Sequence, residues 1–206
     1  KEKKYEYNVG VDFAFLNNRL SGNLDLYYRD TKDLLWWYDV PTPPYQYDKL
    51  LANAGEMLSY GVELAVTGVP VQTKDVTWTS SLTLAWNENI ITKLSDPEKG
   101  FNYTSSPQGN LYGNKFNGSD SYTQILMEGG KVGQFYGYKW MGFNDKGEWV
   151  YEDQYGGPTA KPTAADKKYL GSAQPAVTYG WNNTVRYKNL DVTIFLRGVI
   201  GNKLLN

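Results

Sequence analysis

The 206-residue chain contains no cysteine and no histidine, and it has only 3 methionines. These absences exclude disulfide bonds, thiolate nucleophiles, zinc sites that use histidine, and catalytic triads with a histidine base. The 21 Lys and Arg residues are balanced by 22 Asp and Glu, so the chain lacks the basic excess typical of nucleic-acid-binding proteins. No run approaches the roughly 20 apolar residues of a membrane-spanning helix.

Aromatic residues are abundant instead, at 16% of the chain, and apolar and polar residues alternate with a period of two. Alternation of this kind predicts β-strands with one apolar face and one polar face. It runs through the segments 9–15, 20–29, 60–67, 77–86, 177–186 and 190–197. Because no segment shows a convincing helical period, we predict an all-β fold of antiparallel, up-and-down strands.

The charged residues of these segments all fall on the polar face: Asp12, Asp25, Arg29, Glu63, Arg186, Asp191 and Arg197. On the apolar face, Trp78 and Trp86 are eight residues apart, and Tyr179 and Tyr187 repeat that spacing. At roughly 3.3 Å per residue this separation is about 26 Å, which in a tilted strand matches the distance between aromatic girdles of membrane β-barrels. Cross-strand aromatic pairs in a soluble β-sandwich would give the same pattern, so both alternatives stay open at this point.

Connection lengths favour the membrane alternative. Short turns at 16–19, 70–75 and 188–189 alternate with long connections at about 31–58 and 88–174. Outer-membrane barrels alternate short periplasmic turns with long outer loops, whereas loops beyond about 15 residues are uncommon in compact soluble domains. Within the second connection, 131–143 and 148–151 predict a hairpin around the turn at 144–147. The pattern leaves open whether this hairpin is part of the barrel wall or projects above it.

A series of short motifs runs along almost the whole chain. They are NVGVD (8–12), LNNRL (16–20), YYRDTKDLL (27–35), NAGEM (53–57), GVEL (61–64), GQFYGY (133–138), YLG (169–171), TYG (178–180) and YKNLD (187–191). Each motif is weak alone, but their order is specific. Together they resemble the later part of the barrel of SusC-like TonB-dependent transporters.

The resemblance implies a section of a transmembrane β-barrel in the cell outer membrane of Bacteroidetes-type bacteria. Residues 1–206 would be a partial receptor barrel without the plug domain, the early strands and the closing strands, and 88–174 would be a long extracellular loop region. The implied partners are outer-membrane lipid, a SusD-like lipoprotein that caps the barrel, and TonB acting through the absent plug domain. The implied cargo is a glycan or a peptide.

Neither a metal site nor catalysis is expected. Relatives often carry an acidic stretch that resembles a calcium loop, but here 155–165 offers too few oxygen ligands for one. Paired carboxylates could serve a glycosidase, and Glu63 and Asp12 are conceivable candidates. Both lie within regular strands on the polar face, which favours a structural role facing the lumen. We therefore predict that the chain is not an enzyme and that it has no cofactor.

Two aromatic clusters outside the regular strands are candidate contacts for substrate or for the lipoprotein. The first comprises Trp36, Trp37, Tyr38 and Tyr45, and the second includes Tyr103 and Tyr112. Flat aromatic side chains suit stacking and interface hot spots. The alternative for the first cluster is anchoring in the aromatic girdle or packing beneath the loop.

The sequence thus predicts part of an outer-membrane transporter that imports a bulky nutrient. Its apolar face would meet lipid, with Trp78, Trp86, Tyr179 and Tyr187 in the girdles, and its charged face would meet the lumen. The alternative function is a soluble all-β carbohydrate-binding module that uses its aromatic loop residues.

Overall fold

The computed structural model describes residues 1–100, 103–111 and 122–205. Its strands are β1 (Lys3–Phe15), β2 (Leu20–Asp39), β3 (Lys49–Gln72), β4 (Val76–Lys93), β5 (Ser105–Asn110), β6 (Tyr122–Met127), β7 (Gln134–Tyr138), β8 (Trp140–Phe143), β9 (Trp149–Glu152), β10 (Pro158–Thr159), β11 (Lys167–Ser172), β12 (Val177–Tyr187) and β13 (Leu190–Ile200). Short 3-10 turns lie at Pro97–Lys99 and Ala164–Asp166. The prediction of an all-β chain is confirmed. Within the described residues, no helix is long and apolar enough to cross a membrane.

The chain divides into two compact units. The first contains Lys1–Asn89 and Pro175–Asn202, and the second contains Ile90–Gln174 with Lys203–Asn206. Apart from Lys203–Asn206, the second unit is therefore a sequence insertion between two strands of the first.

The first unit is a six-stranded sheet in the order β1-β2-β3-β4-β12-β13, which we call the wall. The pairs β1–β2, β2–β3, β4–β12 and β12–β13 are antiparallel, so the chain runs up and down between neighbours. Several of these strands are far longer than the five or six residues typical of soluble proteins. In the described part of the chain, the edge strands β1 and β13 each have one strand partner.

One predicted connection is wrong. Most of 31–58 continues β2 and β3 as a hairpin, and the loop proper covers only 40–48. The reason is a register shift between Thr31 and Leu35, where Asp33 adopts a left-handed conformation with φ 56° and its carbonyl accepts a hydrogen bond from Asn53. This irregularity interrupts the alternation, although the strands continue beyond it.

The short turns at the other end of the wall are tightly bonded. Leu16, Asn17 and Asn18 all have positive φ, and the Arg19 amide donates to the Leu16 carbonyl over 3.2 Å. The Arg19 guanidinium donates to the Val69 and Pro70 carbonyls at 2.8–3.1 Å. The guanidinium bonds join the turn at 16–19 to the end of β3, so the Arg19 side chain helps to fix this end of the wall.

The second unit contains two small sheets. One has the order β11-β7-β6-β5 and the other has the order β10-β9-β8. Strand β8 pairs with β9 around the turn at 144–147, at the position predicted for the hairpin. Strand β7 pairs with β6 and β11 instead of joining the wall. The buried apolar residues of this unit are Ile91, Leu94 and Ile125.

Candidate functional site

The wall has one continuous apolar face. Residues directly opposite each other in antiparallel strands share a face, and apolar residues stand opposite apolar residues across the sheet. Val9 pairs with Leu26, which pairs with Val62. At the other side, Leu82 pairs with Trp181. These residues are not covered by another layer: Val9 is 66% exposed and Leu26 is 46% exposed. The apolar face therefore needs a partner other than this unit.

An aromatic row crosses four strands at one end of this face. The Tyr7 and Tyr28 rings are 6.5 Å apart, Tyr28 stands opposite Tyr60, and the Tyr60 and Trp86 rings meet edge to face at 5.7 Å. Tyr179 lies near the same level, because the residue two positions before it, Val177, pairs with Trp86.

A second aromatic level lies about eight residues further toward the short turns. Trp78 pairs with Val185 there, and Tyr187 pairs with Val76. The structure thus places the four predicted girdle residues in two levels on one face, Trp86 with Tyr179 and Trp78 with Tyr187.

Two polar residues interrupt the apolar face between these levels, and sequence reasoning did not explain them. Ser80 and Asn183 stand directly opposite each other. The Trp181 indole N–H donates to the Ser80 hydroxyl over 2.9 Å, and the Trp78 indole N–H donates to the Asn183 side-chain oxygen over 3.2 Å. Each of the two indole N–H groups therefore has an acceptor on a face that is otherwise apolar.

The opposite face carries all seven charged residues predicted for it, together with several others. Arg29 donates two hydrogen bonds to Glu6, at 3.0 and 3.1 Å, and Arg186 donates two to Asp191, at 2.8 and 3.2 Å. Lys4 adds a third cationic contact to Glu6 at 3.2 Å. These ion pairs are partly exposed to solvent. Each therefore contributes little to the stability of the fold unless a low-dielectric environment surrounds it.

An open cavity of about 440 Å³ lies on this charged face, lined by Glu6, Asn8, Asp25, Leu26, Tyr27, Arg29 and Glu63. Asp25 stands between Gly10 and Glu63 in the register and accepts a hydrogen bond from Asn23 over 2.6 Å. The Tyr27 ring lies over Gly61, where a Cβ atom would come within 2.7 Å of the ring. Asp12 belongs to the same three strands, whereas Arg197 lies on β13 at the far edge.

The first predicted aromatic cluster is split by the hairpin of β2 and β3. Trp37 is 60% exposed and stands opposite Leu51, whereas Trp36 is half-buried opposite Ala52. Tyr38 is only 1% exposed. Tyr45 is exposed in the loop between the strands. The candidate contact surface of this cluster therefore narrows to Trp37 and Tyr45, because the Tyr38 ring is covered in this structure.

The second predicted cluster can be followed only in part. Tyr103 is half-buried. Tyr112 lies outside the described residues.

The structure also gathers an aromatic cluster that sequence reasoning did not select: Trp140, Phe143, Trp149 and Tyr151, which we call the ring cluster. In the register of β8 and β9, Trp140 pairs with Tyr151 and Phe143 pairs with Trp149. Ring centroids lie 5.6 Å apart for Trp140–Phe143 and 5.7 Å apart for Phe143–Trp149. The sequence signal was four aromatic residues flanking the 144–147 turn, but regular alternation would have divided them between two faces.

Salt bridges hold the strands beside the ring cluster. The Glu152 carboxylate is 2.6 Å from the Lys139 ammonium and 2.7 Å from the Lys168 ammonium. These two hydrogen-bonded cations hold the pKa of Glu152 down to about 2, from an ordinary value of 4.5. Lys168 also donates to the Asp153 carbonyl over 2.9 Å. Glu152 is therefore ionised at any physiological pH and links β9 to β11.

No group of three or more acidic side chains suited to a metal ion occurs among the residues that the structure describes. Two carboxylates of the 153–166 segment are bonded to backbone amides instead. Asp153 accepts from the Tyr155 and Gly157 amides, and Asp166 accepts from the Gln154 and Thr163 amides. The segment is thus held by hydrogen bonds to its own main chain.

Comparison with known proteins gives consistent matches over the chain. Residues 1–199 match the family model described as TonB dependent receptor-like, beta-barrel. TonB-dependent receptor SusC of Bacteroides thetaiotaomicron is 31% identical over 205 residues, which cover 98% of this chain and 20% of that protein. TonB-dependent receptor P3 of Formosa agariphila is 30% identical over 222 residues, which cover 100% of this chain and 21% of that protein.

Solved structures agree with these relatives. A structure of the RagAB peptide transporter superposes with a TM-score of 0.77 at 26% identity, covering 97% of this chain and 21% of that chain. The RagAB peptide importer in its 'open-open' state gives a TM-score of 0.77 at 25% identity. The chain spans about a fifth of the length of the curated relatives it matches.

Proposed function

Because this chain belongs to the TonB-dependent receptor β-barrel family, we propose that its wall is part of an outer-membrane importer of a bulky nutrient, either a glycan or a peptide. Members of this family are outer-membrane transport proteins rather than enzymes. The observation that carries the proposal is the two-faced wall, with an exposed apolar face between two aromatic levels and a charged face behind it.

The apolar face meets lipid in this proposal. Trp78 and Tyr187 lie in one aromatic girdle, and Trp86 and Tyr179 lie in the other. Aromatic rings concentrate at both interfaces of membrane proteins because one part of each ring is apolar and the other is polar. The exposed valine and leucine side chains between the two levels support this orientation, because exposing so large an apolar surface to water is unfavourable.

The charged face meets the lumen in this proposal. Its residues are Asp12, Asp25, Arg29, Glu63, Arg186, Asp191 and Arg197. The interior of a large outer-membrane barrel is polar, so charges there remain hydrated or meet other polar groups. The ion pairs that Arg29 and Arg186 form with carboxylates support this orientation, because the paired groups neutralise each other's charge and still remain accessible to water.

The partners we propose are a SusD-like lipoprotein and TonB, the latter acting through the plug domain of the transporter. The similarity to TonB-dependent receptor SusC and to the RagAB peptide transporter supports such a system. Within this chain, Trp37 and Tyr45 are the proposed contacts with substrate or lipoprotein. Residues 88–174 are proposed to lie outside the cell, with the short turns of the wall in the periplasm.

Site-directed fluorescence on the full-length transporter tests this orientation. These 206 residues contain no cysteine, so single cysteines at Leu82, Thr83 and Leu84 can be labelled with an environment-sensitive dye once any cysteine elsewhere in the transporter has been replaced by serine. Brominated lipids should quench the dye at positions 82 and 84, and a water-soluble quencher should act at position 83. Equal quenching at all three positions would contradict a lipid-facing wall and favour a soluble carbohydrate-binding module.

A further inference from the structure

The ring cluster depends on a β-bulge. Trp140 and Phe143 are three residues apart, so they would point to opposite faces of a regular strand. The register shifts between Trp140 and Gly142, and Gly142 has a φ of 134°, in the region that favours glycine. The extra residue returns Phe143 to the face that carries Trp140, Trp149 and Tyr151. Bulges of this kind often redirect a side chain beside a functional site.

Three of the four rings of this cluster remain exposed although they contact one another, and Tyr151 is half-buried. Trp140 is 51% exposed, Trp149 is 58% exposed and Phe143 is 61% exposed. The Trp149 and Tyr151 ring planes are inclined by only 23°, with centroids 6.5 Å apart. Trp140 and Phe143 contact each other edge to face, at an angle of 76°.

The hairpin that carries the rings is held in place before any ligand arrives. At its tip, the Asn144 side-chain oxygen accepts from the Lys146 and Glu148 amides, each over 2.9 Å. At its base, Glu152 is bound by Lys139 and Lys168. A surface fixed in this way loses little conformational entropy when it binds, which favours affinity.

The exposed area of the ring cluster indicates whether its binding partner is a protein or a small ligand. An aromatic side chain offers about 150–250 Å², so three rings exposed by half present roughly 250–400 Å². A stable protein interface needs about 800 Å² from each partner. The ring cluster is too small for such an interface alone, whereas an exposed aromatic surface of this size matches the apolar C–H face of a sugar ring.

We propose that the ring cluster is a glycan-binding subsite, with the exposed Trp149 ring stacking on a sugar ring and Trp140 and Phe143 contacting the glycan beside it. This inference rests on the proposed function and adds to it a substrate class and a location. The indole N–H groups and the tyrosine hydroxyl at the ring edges supply donors for sugar oxygens.

Calorimetric titration of the full-length transporter in detergent tests the proposal. The probes are neutral soluble oligosaccharides of glucose, mannose, xylose and fructose, each titrated separately, with a tryptic peptide mixture as the competing class. Trp149→Leu keeps an apolar side chain but removes the flat ring, and it should lower the affinity for the bound oligosaccharide about tenfold, the loss expected for one ring contact. Trp149→Tyr should retain most of the affinity, because a flat ring is kept.

Tyr155→Ala is the matched control, since Tyr155 is 87% exposed in the same unit. It should bind like the unmodified protein. The proposal is overturned if no oligosaccharide binds, if only peptides bind, or if Trp149→Leu binds oligosaccharide normally. Loss of the lipoprotein during purification of Trp149→Leu, with unchanged oligosaccharide affinity, would also overturn it. The quenching pattern at positions 82–84 is independent of this result, so failure of the subsite and failure of the membrane orientation are separable.

Discussion

Trp181 donates its indole N–H to the hydroxyl of Ser80 over 2.9 Å, and the two residues come from strands 101 positions apart in the sequence. The bond lies on the apolar face, between the two aromatic levels. A polar group in the hydrocarbon region of a membrane has no water to bond with, so it needs a partner inside the protein. Trp78 and Asn183 form the companion bond, which explains why serine and asparagine occur on this face at all.

Ser80→Ala should destabilise the wall by about 1–3 kcal/mol, because it leaves the Trp181 N–H without an acceptor in an apolar environment. Trp181→Phe combined with Ser80→Ala should cost less than the sum of the two single changes, since both partners are then removed. Urea unfolding of the full-length protein in lipid vesicles measures these free energies. Thr79→Ala, on the polar face, is the control. Additive effects at Ser80 and Trp181 would show that the bond does not contribute.

Leu82→Arg should impair membrane insertion far more than Thr83→Arg. Leu82 lies midway between Trp78 and Trp86 on the apolar face, where an arginine costs about 2–4 kcal/mol in a bilayer. Thr83 lies on the opposite face, where a charge stays hydrated. The measurement is the amount of folded, heat-modifiable transporter in purified outer membranes. Equal losses for the two variants would refute the assignment of the faces.

Gly198→Ala should destabilise the wall by about 1 kcal/mol, the low end of the range for overpacking. A Cβ atom at Gly198 would lie 2.6 Å from the Tyr179 ring, so the ring would have to move. Gly68→Ala is the matched control, because its Cβ atom would have neighbours only at 3.9 Å. Unfolding in vesicles measures both. If the two variants have the same stability, the Tyr179 ring does not rest on Gly198.

Glu152 should make the stability of the second unit depend on acidic pH. Its pKa is about 2 in the folded protein, lowered from 4.5 by the hydrogen-bonded Lys139 and Lys168. Because the folded pKa is the lower one, the stabilisation is fully present above pH 4.5 and is lost as the pH falls from 4.5 toward 2.

Hydrogen exchange of segment 139–168 measures this effect, after correction for intrinsic rates. The unmodified protein should be better protected than Glu152→Gln above pH 4.5, and the difference should vanish near pH 2. A difference that stays constant across this range would contradict the prediction.

The wall was largely predictable from sequence, because the alternation of apolar and polar residues can be recognised within one strand, even when the partner strand is unknown. The all-β fold, the resemblance to SusC-like transporters and the outer-membrane location are confirmed. The charged and aromatic residues of the regular strands lie on the faces that their spacing indicated. Their contacts with lipid and lumen remain predictions.

Features that depend on pairing were not predictable. The register shift near Asp33 extended β2 and β3 through a region read as loop, and the bulge before Gly142 assembled the ring cluster. Both shifts are set by two strands together, so neither strand shows them alone. The burial of Tyr38 could not be predicted either. Adjacent aromatic residues in a strand point in opposite directions, and the sequence does not show which of the two directions is covered.

The pairing of β4 with β12 has a consequence for how such proteins diversify. Trp86 and Val177 are neighbours in the wall, although the chain between them builds most of the second unit. Because β4 and β12 pair through their own residues, we expect an exchange of that insert for one of different sequence to leave the register of the two flanking strands intact. If the ring cluster of the insert binds glycan as proposed, specificity can be engineered there as a cassette between fixed attachment points, while the wall keeps its geometry.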